Sequence, residues 1–486
     1  MKISITVRLT LMSVLLAVCG CTVGPDYHRP AVPANPSWSS PLQGGETNAG
    51  PVDAAWWKSF HDAELEALIN RSAQSNLTLR IATARVREAR AQREIAAAAE
   101  GPSLGSGGSF SRNRFSQEGF PPLPPSVPLD FNLYRAGFDA SWEIDVFGGT
   151  RRSVQAAEAG IMAAEFNRDD VLRSLFGEVA RNYIVARAFQ RRLEIARKNI
   201  EAQTEIVRRT QDRRQAGLTT ELDVQQATAL LAATEAQVPA LETGFQNATF
   251  QLDVLLGEPP GKVRAEISSA GVIPSAPPQV PVGLPSDLLQ RRPDVRRAES
   301  ELVAATARIG VAKADLFPRF SLTGAAGLES ISASDWWTAG SRFWSAGPTV
   351  TWPVFQSGRI RANIRVQNAR QEQAAAGYEQ TALTAFADVE QALTAYAKEQ
   401  LRHEALARSV QADQQALNLA NDLYGHDLTD FLRVLSSERS LYESEDAVVQ
   451  NEQNIALNLV ALYKALGGGW ENKTNLILSA APNASP

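Results

Sequence analysis

The sequence of 486 residues matches itself when it is shifted, and this internal repeat limits what the chain can fold into. At a spacing of 210 residues Trp142 falls on Trp352, and further upstream, at a spacing of 216, Pro102 falls on Pro318. These two offsets are called the short spacing and the long spacing below. A period this long exceeds the roughly 20–50 residues of a solenoid repeat. The sequence therefore predicts a duplicated domain, with six extra residues in the first copy.

Two long segments of each copy carry apolar residues at every seventh position, which is the pattern of a coiled coil. The outgoing segments contain Leu172, Val179, Ala186, Leu193, Ile200 and Val207 in the first copy, and Ala382, Val389, Tyr396, His403, Val410, Leu417 and Tyr424 in the second. The returning segments contain Val224, Leu231, Val238, Phe245 and Leu252, then Val434, Leu441, Val448, Ile455 and Leu462. A helix over residues 149–215 would be about 100 Å long at 1.5 Å per residue. The pattern predicts two long antiparallel helical hairpins, each preceded by a shorter helix, over 77–99 and 295–316.

Each predicted hairpin reverses at a short tip, over residues 215–219 and 425–429. Gly217 can adopt the positive φ angle that often ends a helix. Thr219 or Thr220 is expected to cap the returning helix of the first hairpin, and Thr429 that of the second.

Between the helices lie four segments in which apolar and polar residues alternate, over 104–112, 138–146, 320–328 and 350–354. Strands of about nine residues have the length of membrane-crossing β-strands, although each segment alone also fits a half-buried strand of a soluble sheet. If they cross a membrane, the lipid-facing residues include Phe138, Trp142, Ile144 and Trp352. In lipid every backbone polar group must be paired, and four strands are fewer than the roughly eight of the smallest barrels. Several chains are therefore expected to share one barrel wall.

The first residues have the pattern of an export signal. Lys2 and Arg8 precede about ten mostly apolar residues, a stretch too short to span a bilayer, and small residues then precede Cys21. We interpret residues 1–20 as a signal peptide and Cys21 as the acylated first residue of a bacterial lipoprotein; an ordinary secretory signal with two cysteines is the alternative. Resemblance to bacterial lipoproteins implies outer-membrane sorting, because Thr22 and not Asp follows the cysteine.

Composition argues against several other functions. The net charge is −5 for the full sequence, and no basic stripe indicates nucleic-acid binding. The four histidines, His28, His61, His403 and His426, have no metal-ligand spacing, and no nucleophile or phosphate-loop motif occurs. The sequence therefore predicts no enzyme, no cofactor and no metal site.

Several motifs together resemble the outer membrane factor family, the exit ducts of TolC, OprM and NodT type in Gram-negative tripartite efflux and type I secretion systems. They are Cys21-Thr22-Val23-Gly24-Pro25-Asp26-Tyr27-His28-Arg29-Pro30, Trp56-Trp57-Lys58-Ser59-Phe60, Arg291-Arg292-Pro293-Asp294-Val295-Arg296, Phe317-Pro318, Trp352-Pro353-Val354-Phe355 and Leu462-Tyr463-Lys464-Ala465-Leu466-Gly467-Gly468-Gly469-Trp470. The resemblance implies a homotrimer in which three protomers with four strands each form a 12-stranded outer-membrane barrel above a periplasmic helical tunnel.

The same resemblance implies partners and a gate. The partners are a periplasmic adaptor protein, an inner-membrane pump of the RND type, and outer-membrane lipid. The hairpin tips would form an entrance that is closed at rest. By residue-for-residue match, the gate positions are Tyr424, Asp427, Asp430 and Arg433 at the second tip, with Gly217 at the first.

The predicted fold is thus mostly α, with long antiparallel coiled-coil hairpins and four strands for a shared membrane β-barrel. The predicted boundaries are 1–20 signal peptide, 21–75 N-terminal belt segment, 76–257 first repeat, 258–287 linker, 288–467 second repeat and 468–486 C-terminal tail. The predicted function is that of a passive exit duct for drugs or other small molecules in an efflux system. A lipid-anchored periplasmic coiled-coil scaffold without a pore is the alternative.

Overall fold

The computed structural model describes residues 22–40, 42, 45–47, 53–119, 124, 126, 128–269, 271–277, 279–426 and 428–471. Most of these residues are helical. The α-helices are α1 (Ala63–Ser75), α2 (Leu77–Ala98), α3 (Gly149–Gln215), α4 (Glu221–Glu235), α5 (Val238–Leu255), α6 (Lys262–Glu266), α7 (Pro285–Arg291), α8 (Pro293–Ala314), α9 (Arg359–Gly425) and α10 (Phe431–Ala465). The strands are β1 (Glu46–Thr47), β2 (Ser103–Arg114), β3 (Asp130–Ile144), β4 (Val280–Pro281), β5 (Arg319–Ser330) and β6 (Arg342–Thr351).

The elements recur at the two spacings found in the sequence. The long spacing relates both ends of α2 to both ends of α8, and both ends of β2 to both ends of β5. The short spacing relates both ends of α3 to both ends of α9, and each of these helices contains 67 residues. The bounds of the long outgoing helices are therefore those that the heptad pattern predicts.

The returning helices of the two hairpins differ. In the second hairpin α10 is continuous over 35 residues, whereas in the first the return is broken between α4 and α5. Pro239 lies at the start of α5. Because proline has no backbone N–H, it cannot donate a hydrogen bond to the preceding turn, and in a continuous helix its ring would clash with the carbonyl oxygen of Glu235. The equivalent residue of the second hairpin is Val449, so the helix continues there. The prediction of one unbroken return helix is wrong for the first hairpin.

The chain divides into two compact units, each assembled from three separate stretches. Unit 1 consists of Met1–Pro30, Arg85–Ala164 and Ala298–Tyr378, and unit 2 of Ala31–Ala84, Glu165–Arg297 and Glu379–Pro486. Unit 1 contains the main sheet, which is antiparallel with strand order β2-β3-β5-β6. Unit 2 contains the hairpin tips and the main hydrophobic core.

Aromatic side chains form the centre of that core. The ring of Trp56 stacks on that of Tyr463 with 5.4 Å between the centroids, and Trp57 packs edge-on against Phe176 at 4.8 Å. Gly469 has a φ of 112°, and a Cβ there would lie 3.2 Å from the Trp56 indole nitrogen. The motif around Trp56 and the glycines after α10 are therefore parts of one packed structure.

The buried guanidinium of Arg292 connects three helices of unit 2. It donates to Asp294 at 2.6 Å and to Asp388 of α9 at 2.9 Å, and it also reaches the carbonyls of Ala385 and Ala465, at 3.4 Å and 3.2 Å. Ala465 is the last residue of α10, whose final carbonyls have no partner within the helix. Arg292 thus closes the end of α10 and pairs with carboxylates on two other elements.

The pKa of Asp294 reflects this arrangement. Burial alone would raise it, but the hydrogen bonds from Arg292 and the positive charges of Arg292 and Arg173 outweigh burial, so the pKa lies below its usual value. A carboxylate with a lowered pKa stabilises the fold above its unfolded-state pKa of about 3.9, and this contribution is lost as the pH falls further.

We predict that Arg292→Ala lowers the stability of the chain by about 3 kcal/mol, because it removes the nearest guanidinium from the half-buried carboxylate of Asp294 and the donor that closes the end of α10. The measurement is thermal unfolding followed by circular dichroism, with Arg181→Ala as the control, since Arg181 forms only an exposed pair with Glu178. The control should change stability by less than about 0.5 kcal/mol. The stability of Arg292→Ala should also depend less on pH below about 4 than that of the unaltered chain. Equal melting temperatures for the two variants would contradict the role of Arg292.

Candidate functional site

The sheet of unit 1 has one apolar and one polar face. Its register places residues with even numbers on one face and residues with odd numbers on the other. The even face, called the apolar face below, carries Leu104, Phe110, Tyr134, Phe138, Trp142, Ile144, Phe320, Leu322, Leu328, Trp344 and Val350, with Arg112, Arg114 and Arg342 at its loop end. The odd face, called the polar face, carries Ser103, Ser109, Ser111, Asn113, Arg135, Asp139, Ser141, Glu143, Ser321, Thr323, Glu329, Thr349 and Thr351, with the apolar Phe131, Leu133 and Phe343 at its loop end.

The apolar face is exposed in the single chain. Phe138 is 59% exposed, Leu104 is 73% exposed and Trp344 is 81% exposed. The alternation predicted from the sequence, with Phe138, Trp142 and Ile144 on one face, is confirmed by the register. A contiguous exposed apolar surface of this kind marks a site that contacts lipid or another protein.

Two tryptophans connect this sheet to helices. The indole N–H of Trp142 donates to the carbonyl of Glu100 at 2.8 Å, and that of Trp352 donates to the carbonyl of Leu316 at 3.1 Å. Glu100 lies just beyond the end of α2, and Leu316 lies at the same distance beyond the end of α8. The two repeats therefore make the same contact at the same place.

Trp352 itself lies outside the sheet, because β6 ends at Thr351. The prediction that a strand covers residues 350–354 is wrong for the last three of them. The N–H of Val354 donates instead to the carbonyl of Trp352 at 2.9 Å, which closes a tight turn around Pro353.

Charged residues of the polar face are partly paired. Arg135 lies opposite Glu329, with 3.6 Å between their charged groups, and its guanidinium lies 4.7 Å from the centre of the Phe343 ring. Asp145, which the sequence places on the same face, follows the end of β3 and accepts the backbone N–H of Arg151 at 2.8 Å. Asp145 therefore holds the first turn of α3.

The first hairpin tip ends and restarts its helices with local hydrogen bonds. Gly217 has a φ of 75°, and the N–H of Leu218 donates to the carbonyl of Arg213 at 2.8 Å, which is the six-residue bond of a Schellman motif. Thr220 caps α4 in a capping box with Asp223. The pKa of Asp223 is lowered, above all by the hydrogen bond from the Thr219 hydroxyl. Both threonines predicted as caps thus act on one carboxylate.

The second tip has the same plan but a different cap. The N–H of Leu428 donates to the carbonyl of Leu423 at 2.9 Å, the same interval as at the first tip. Asp430, and not the predicted Thr429, caps α10 by accepting the backbone N–H of Arg433 at 3.1 Å. Asp430 is the residue equivalent to Thr220, and the side chain of Arg433 is exposed. Asp427 lies outside the described residues.

Tyr424 lies between the two hairpins near their tips. Its ring packs at 5.4 Å on Phe431, and the guanidinium of Arg213 lies 4.9 Å from the ring centre. Within the described part of the chain its buried hydroxyl has no hydrogen-bond partner. The surrounding cluster joins α3, α4, α9 and α10 through Ile206, Val207, Ala227, Leu230, Ala420, Phe431, Val434 and Leu435. Of the predicted gate residues, Tyr424, Asp430 and Arg433 therefore lie at one tip, and Gly217 lies at the other.

Four exposed leucines at the tips were not assigned a role from the sequence. Leu218 and Leu222 belong to the first tip, and Leu428 and Leu432 are their equivalents at the second; each is more than half exposed. Their recurrence at the short spacing was the available signal.

The N-terminal strap, defined here as residues 22–30, lies in unit 1. The N–H of Val23 donates to the carbonyl of Phe147 at 3.1 Å, just beyond the end of β3. A Cβ on Gly24 would lie 2.5 Å from the Cα of Gly310, so the strap touches the backbone of α8. Further along, Tyr27 and Arg29 both donate to Glu299, at 3.0 Å and 2.7 Å. The strap therefore starts at the helix end of the sheet; Cys21 lies outside the described residues.

The described residues were also compared with the patterns of metal sites and membrane-spanning helices. In the described ranges no group of three or more His, Cys, Asp or Glu is arranged to hold a metal ion. His403 approaches the side-chain oxygen of Asn451 at 2.9 Å, and Asn451 donates to Glu399. No described helix is both long and apolar enough to cross a membrane.

Comparisons with known proteins agree on one family. The model of the outer membrane efflux protein family matches residues 68–258 and 284–468. The chain is 33% identical over 470 residues to the pyoverdine export outer membrane protein OpmQ of Pseudomonas aeruginosa, covering 96% of this chain and 97% of that protein. It is 32% identical over 469 residues to the toluene efflux pump outer membrane protein TtgI of Pseudomonas putida, covering 96% of this chain and 98% of that protein. A solved structure of the outer-membrane channel OprN is similar with a TM-score of 0.86 and 36% identity, over 93% of this chain and all of that one.

Proposed function

The chain belongs to the outer membrane efflux protein family, and from this premise we propose that three copies form a passive exit duct through the outer membrane. The family predicted from the sequence motifs is confirmed, as are the outer-membrane location and the role as an efflux channel component. The exposed apolar face of the sheet is the observation that carries the proposal, because it is the surface that a bilayer would cover.

The duct has a 12-stranded barrel to which each copy contributes β2, β3, β5 and β6. The apolar face contacts lipid through Phe138, Trp142 and Ile144, with Trp352 at the helix end, and the polar face lines a water-filled lumen. Aromatic residues collect at the loop end of the sheet. Tyr134, Trp336, Trp337 and Trp344 are placed as an interfacial girdle would be, whereas Phe131 and Phe343 have odd numbers and lie on the polar face. The helical hairpins continue the duct into the periplasm.

The repeated organisation supports a duplicated architecture with the boundaries 1–20, 21–75, 76–257, 258–287, 288–467 and 468–486. The two segments that match the family model start one long spacing apart and end one short spacing apart. These are the spacings that relate the helices and strands of the two copies.

The tips are the docking site for a periplasmic adaptor, which connects the duct to an inner-membrane pump of the RND type. Leu218, Leu222, Leu428 and Leu432 present equivalent apolar side chains at both tips, and exposed apolar residues rimmed by polar ones suit a protein partner. The duct supplies no energy and catalyses no reaction. The relatives export pyoverdine or toluene, so the cargo follows the pump and is drugs or other small molecules as a class.

The resting entrance is held by residues of the second tip. Tyr424 packs on Phe431 and under the guanidinium of Arg213, in the cluster that joins the two hairpins beside the tips. Arg433 extends an exposed guanidinium from the first turn of α10, beside Asp430, and Asp427 precedes them in sequence. Gly217 supplies the positive φ angle at the first tip.

The chain is anchored by lipid at Cys21. The strap places Thr22 beside Gly148, between the end of β3 and the start of α3. A Cβ on Gly148 would lie 2.8 Å from the methyl group of Thr22. In the proposed duct this level is the periplasmic surface of the membrane, where acyl chains can insert. A coiled-coil scaffold without a pore would account for Cys21 and the heptads, but not for a four-stranded sheet with an exposed apolar face.

We predict that the purified protein forms trimers that conduct ions in planar bilayers, and that Asp430→Ala with Arg433→Ala raises the open probability about tenfold or more. The reason is that each charge-assisted hydrogen bond of the proposed closed entrance would cost about 1–3 kcal/mol when lost, and about 1.4 kcal/mol is tenfold in an equilibrium. Asp430→Asn with Arg433→Ala is the matched control for helix capping, because Asn keeps the cap and removes the charge. Trimers that never conduct, even with altered tips, would support the scaffold; unchanged open probability would remove Asp430 and Arg433 from the gate.

We predict that Phe138→Arg reduces insertion into lipid vesicles, because an arginine on the lipid face costs about 2–4 kcal/mol near the membrane centre. Ser141→Arg is the matched control on the polar face of the same strand and should insert normally. The measurement is the folded fraction after incubation with vesicles. The opposite ranking of the two variants would mean that the faces are reversed.

We predict that cells incorporate labelled palmitate into the unaltered protein and that Cys21→Ala abolishes the label. The variant should still reach the outer membrane fraction, because the barrel also anchors it. Label on the variant would exclude Cys21 as the acylated residue, and release of the variant as a soluble monomer would contradict the barrel.

A further inference from the structure

Charged residues on the apolar face of the sheet are confined to its loop end. On the even positions of β2, β3, β5 and β6 they are Arg112, Arg114, Asp130 and Arg342. Every even position between these residues and the helix end of the sheet is uncharged. Three positive charges and one negative charge therefore lie at one end of an otherwise uncharged surface.

Two of these arginines have no acidic partner. The guanidinium of Arg114 pairs with the carboxylate of Asp130 at 3.3 Å. Arg112 and Arg342 are exposed, and within the described part of the chain their side chains form no ion pair and no hydrogen bond. Arg135, at the same end but on the polar face, has an acidic group 3.6 Å away. Unpaired positive charge thus lies on the face that would contact lipid in the proposed duct.

Aromatic rings lie next to both unpaired arginines, on the side toward the helix end of the sheet. Phe110 lies two positions before Arg112 on β2, and Trp344 lies two positions after Arg342 on β6. Two residues of a strand span about 7 Å. The two rings are 60% and 81% exposed. Because aromatic side chains mark the headgroup level of a membrane, each unpaired guanidinium is placed at the headgroups and not in the hydrocarbon.

The guanidinium group suits one kind of headgroup. Its planar fork donates two parallel hydrogen bonds to the oxygens of a phosphate, and it stays charged at physiological pH. Its aliphatic stem can lie along an apolar surface while the charge reaches the interface. A headgroup with more phosphate than positive charge would supply the counter-charge that this end of the described sheet lacks.

We propose that Arg112 and Arg342 bind the phosphate groups of a phosphorylated glycolipid in the outer leaflet of the outer membrane. This inference rests on the proposed duct, which turns the loop end of the sheet to the cell exterior and the apolar face to lipid. The acyl chains of the same lipid would cover the exposed rings of Phe110 and Trp344, which a free phosphate ion cannot do. The occupant is therefore a lipid and not a dissolved anion.

Titration of lipid A, a phosphorylated glycolipid, into the full-length protein tests the proposal. Fluorescent lipid A is added at a fixed detergent concentration, and binding is followed by fluorescence anisotropy. Each basic residue near a membrane surface raises the affinity for anionic lipid about fivefold, so we expect Arg112→Gln with Arg342→Gln to lower it about 30-fold. Arg112→Lys with Arg342→Lys should lose less, because lysine keeps the charge without the planar fork.

The control removes the same amount of charge elsewhere. Arg135→Gln with Arg181→Gln takes one arginine from the polar face and one from an exposed pair on α3, and should bind lipid A as the unaltered protein does.

A second comparison uses lipid A from which the phosphates have been removed. The unaltered protein should bind this lipid about 30-fold more weakly than lipid A, whereas the Gln double variant should bind both lipids equally. The measurement on the unaltered protein depends on no substitution, so it tests the proposal even if a variant does not fold.

Three results would contradict the lipid site. Equal affinities of the unaltered protein and the Gln double variant would exclude Arg112 and Arg342 as ligands. Displacement of lipid A by inorganic phosphate at the same concentration would indicate an ion site in place of a lipid site. Equal binding of the two lipids by the unaltered protein would exclude recognition of phosphate.

Conductance in planar bilayers and mass in detergent are measured on the same preparations. Conducting trimers without preference for phosphorylated lipid would overturn the lipid site and leave the proposed duct intact. An unaltered protein that neither trimerises nor conducts would overturn the duct and the lipid site together.

Discussion

Backbone hydrogen bonding in lipid is the constraint from which the rest of this structure follows. An unpaired amide or carbonyl in hydrocarbon costs several kcal/mol, so a four-stranded sheet with two open edges cannot cross a membrane alone. The sheet nevertheless exposes Phe138, Trp344 and Leu104 on one face, a surface that water also disfavours. In the proposed duct both problems disappear together, because further copies would extend the sheet and close it.

The duplication makes such closure geometrically simple. Each hairpin of the sheet ends beside the next one, and the β3–β5 pairing shows how two hairpins meet without disturbing the alternation of faces. The long helices show the same repetition, since α3 and α9 have equal lengths and their ends are related by the short spacing.

The buried core of unit 2 and the hairpin tips are held by contacts of different kinds. Arg292 and the aromatic core around Trp56 hold many elements of unit 2 with buried contacts, which suits a part that must not move. The tips depend on short helix caps, on the ring of Tyr424 and on a small cluster. Contacts of about 1 kcal/mol each can be exchanged for contacts with a partner, so the proposed entrance could open without unfolding of the rest.

The sequence by itself determined the elements whose signal is local or periodic. The heptads predicted the long helix α3, the alternation predicted the two faces of β3, and Gly217 marked a tip, because each depends on side chains a few positions apart. Pro239 carries a local signal for the break between α4 and α5, although the heptad pattern continues across it. Tertiary structure decided the rest: that Asp430 caps α10 in place of Thr429, that Arg292 joins carboxylates and carbonyls up to 173 residues away, that the strap runs along α8, and that β6 stops at Thr351. These outcomes depend on which distant groups meet in space, and no periodicity in the chain records such meetings.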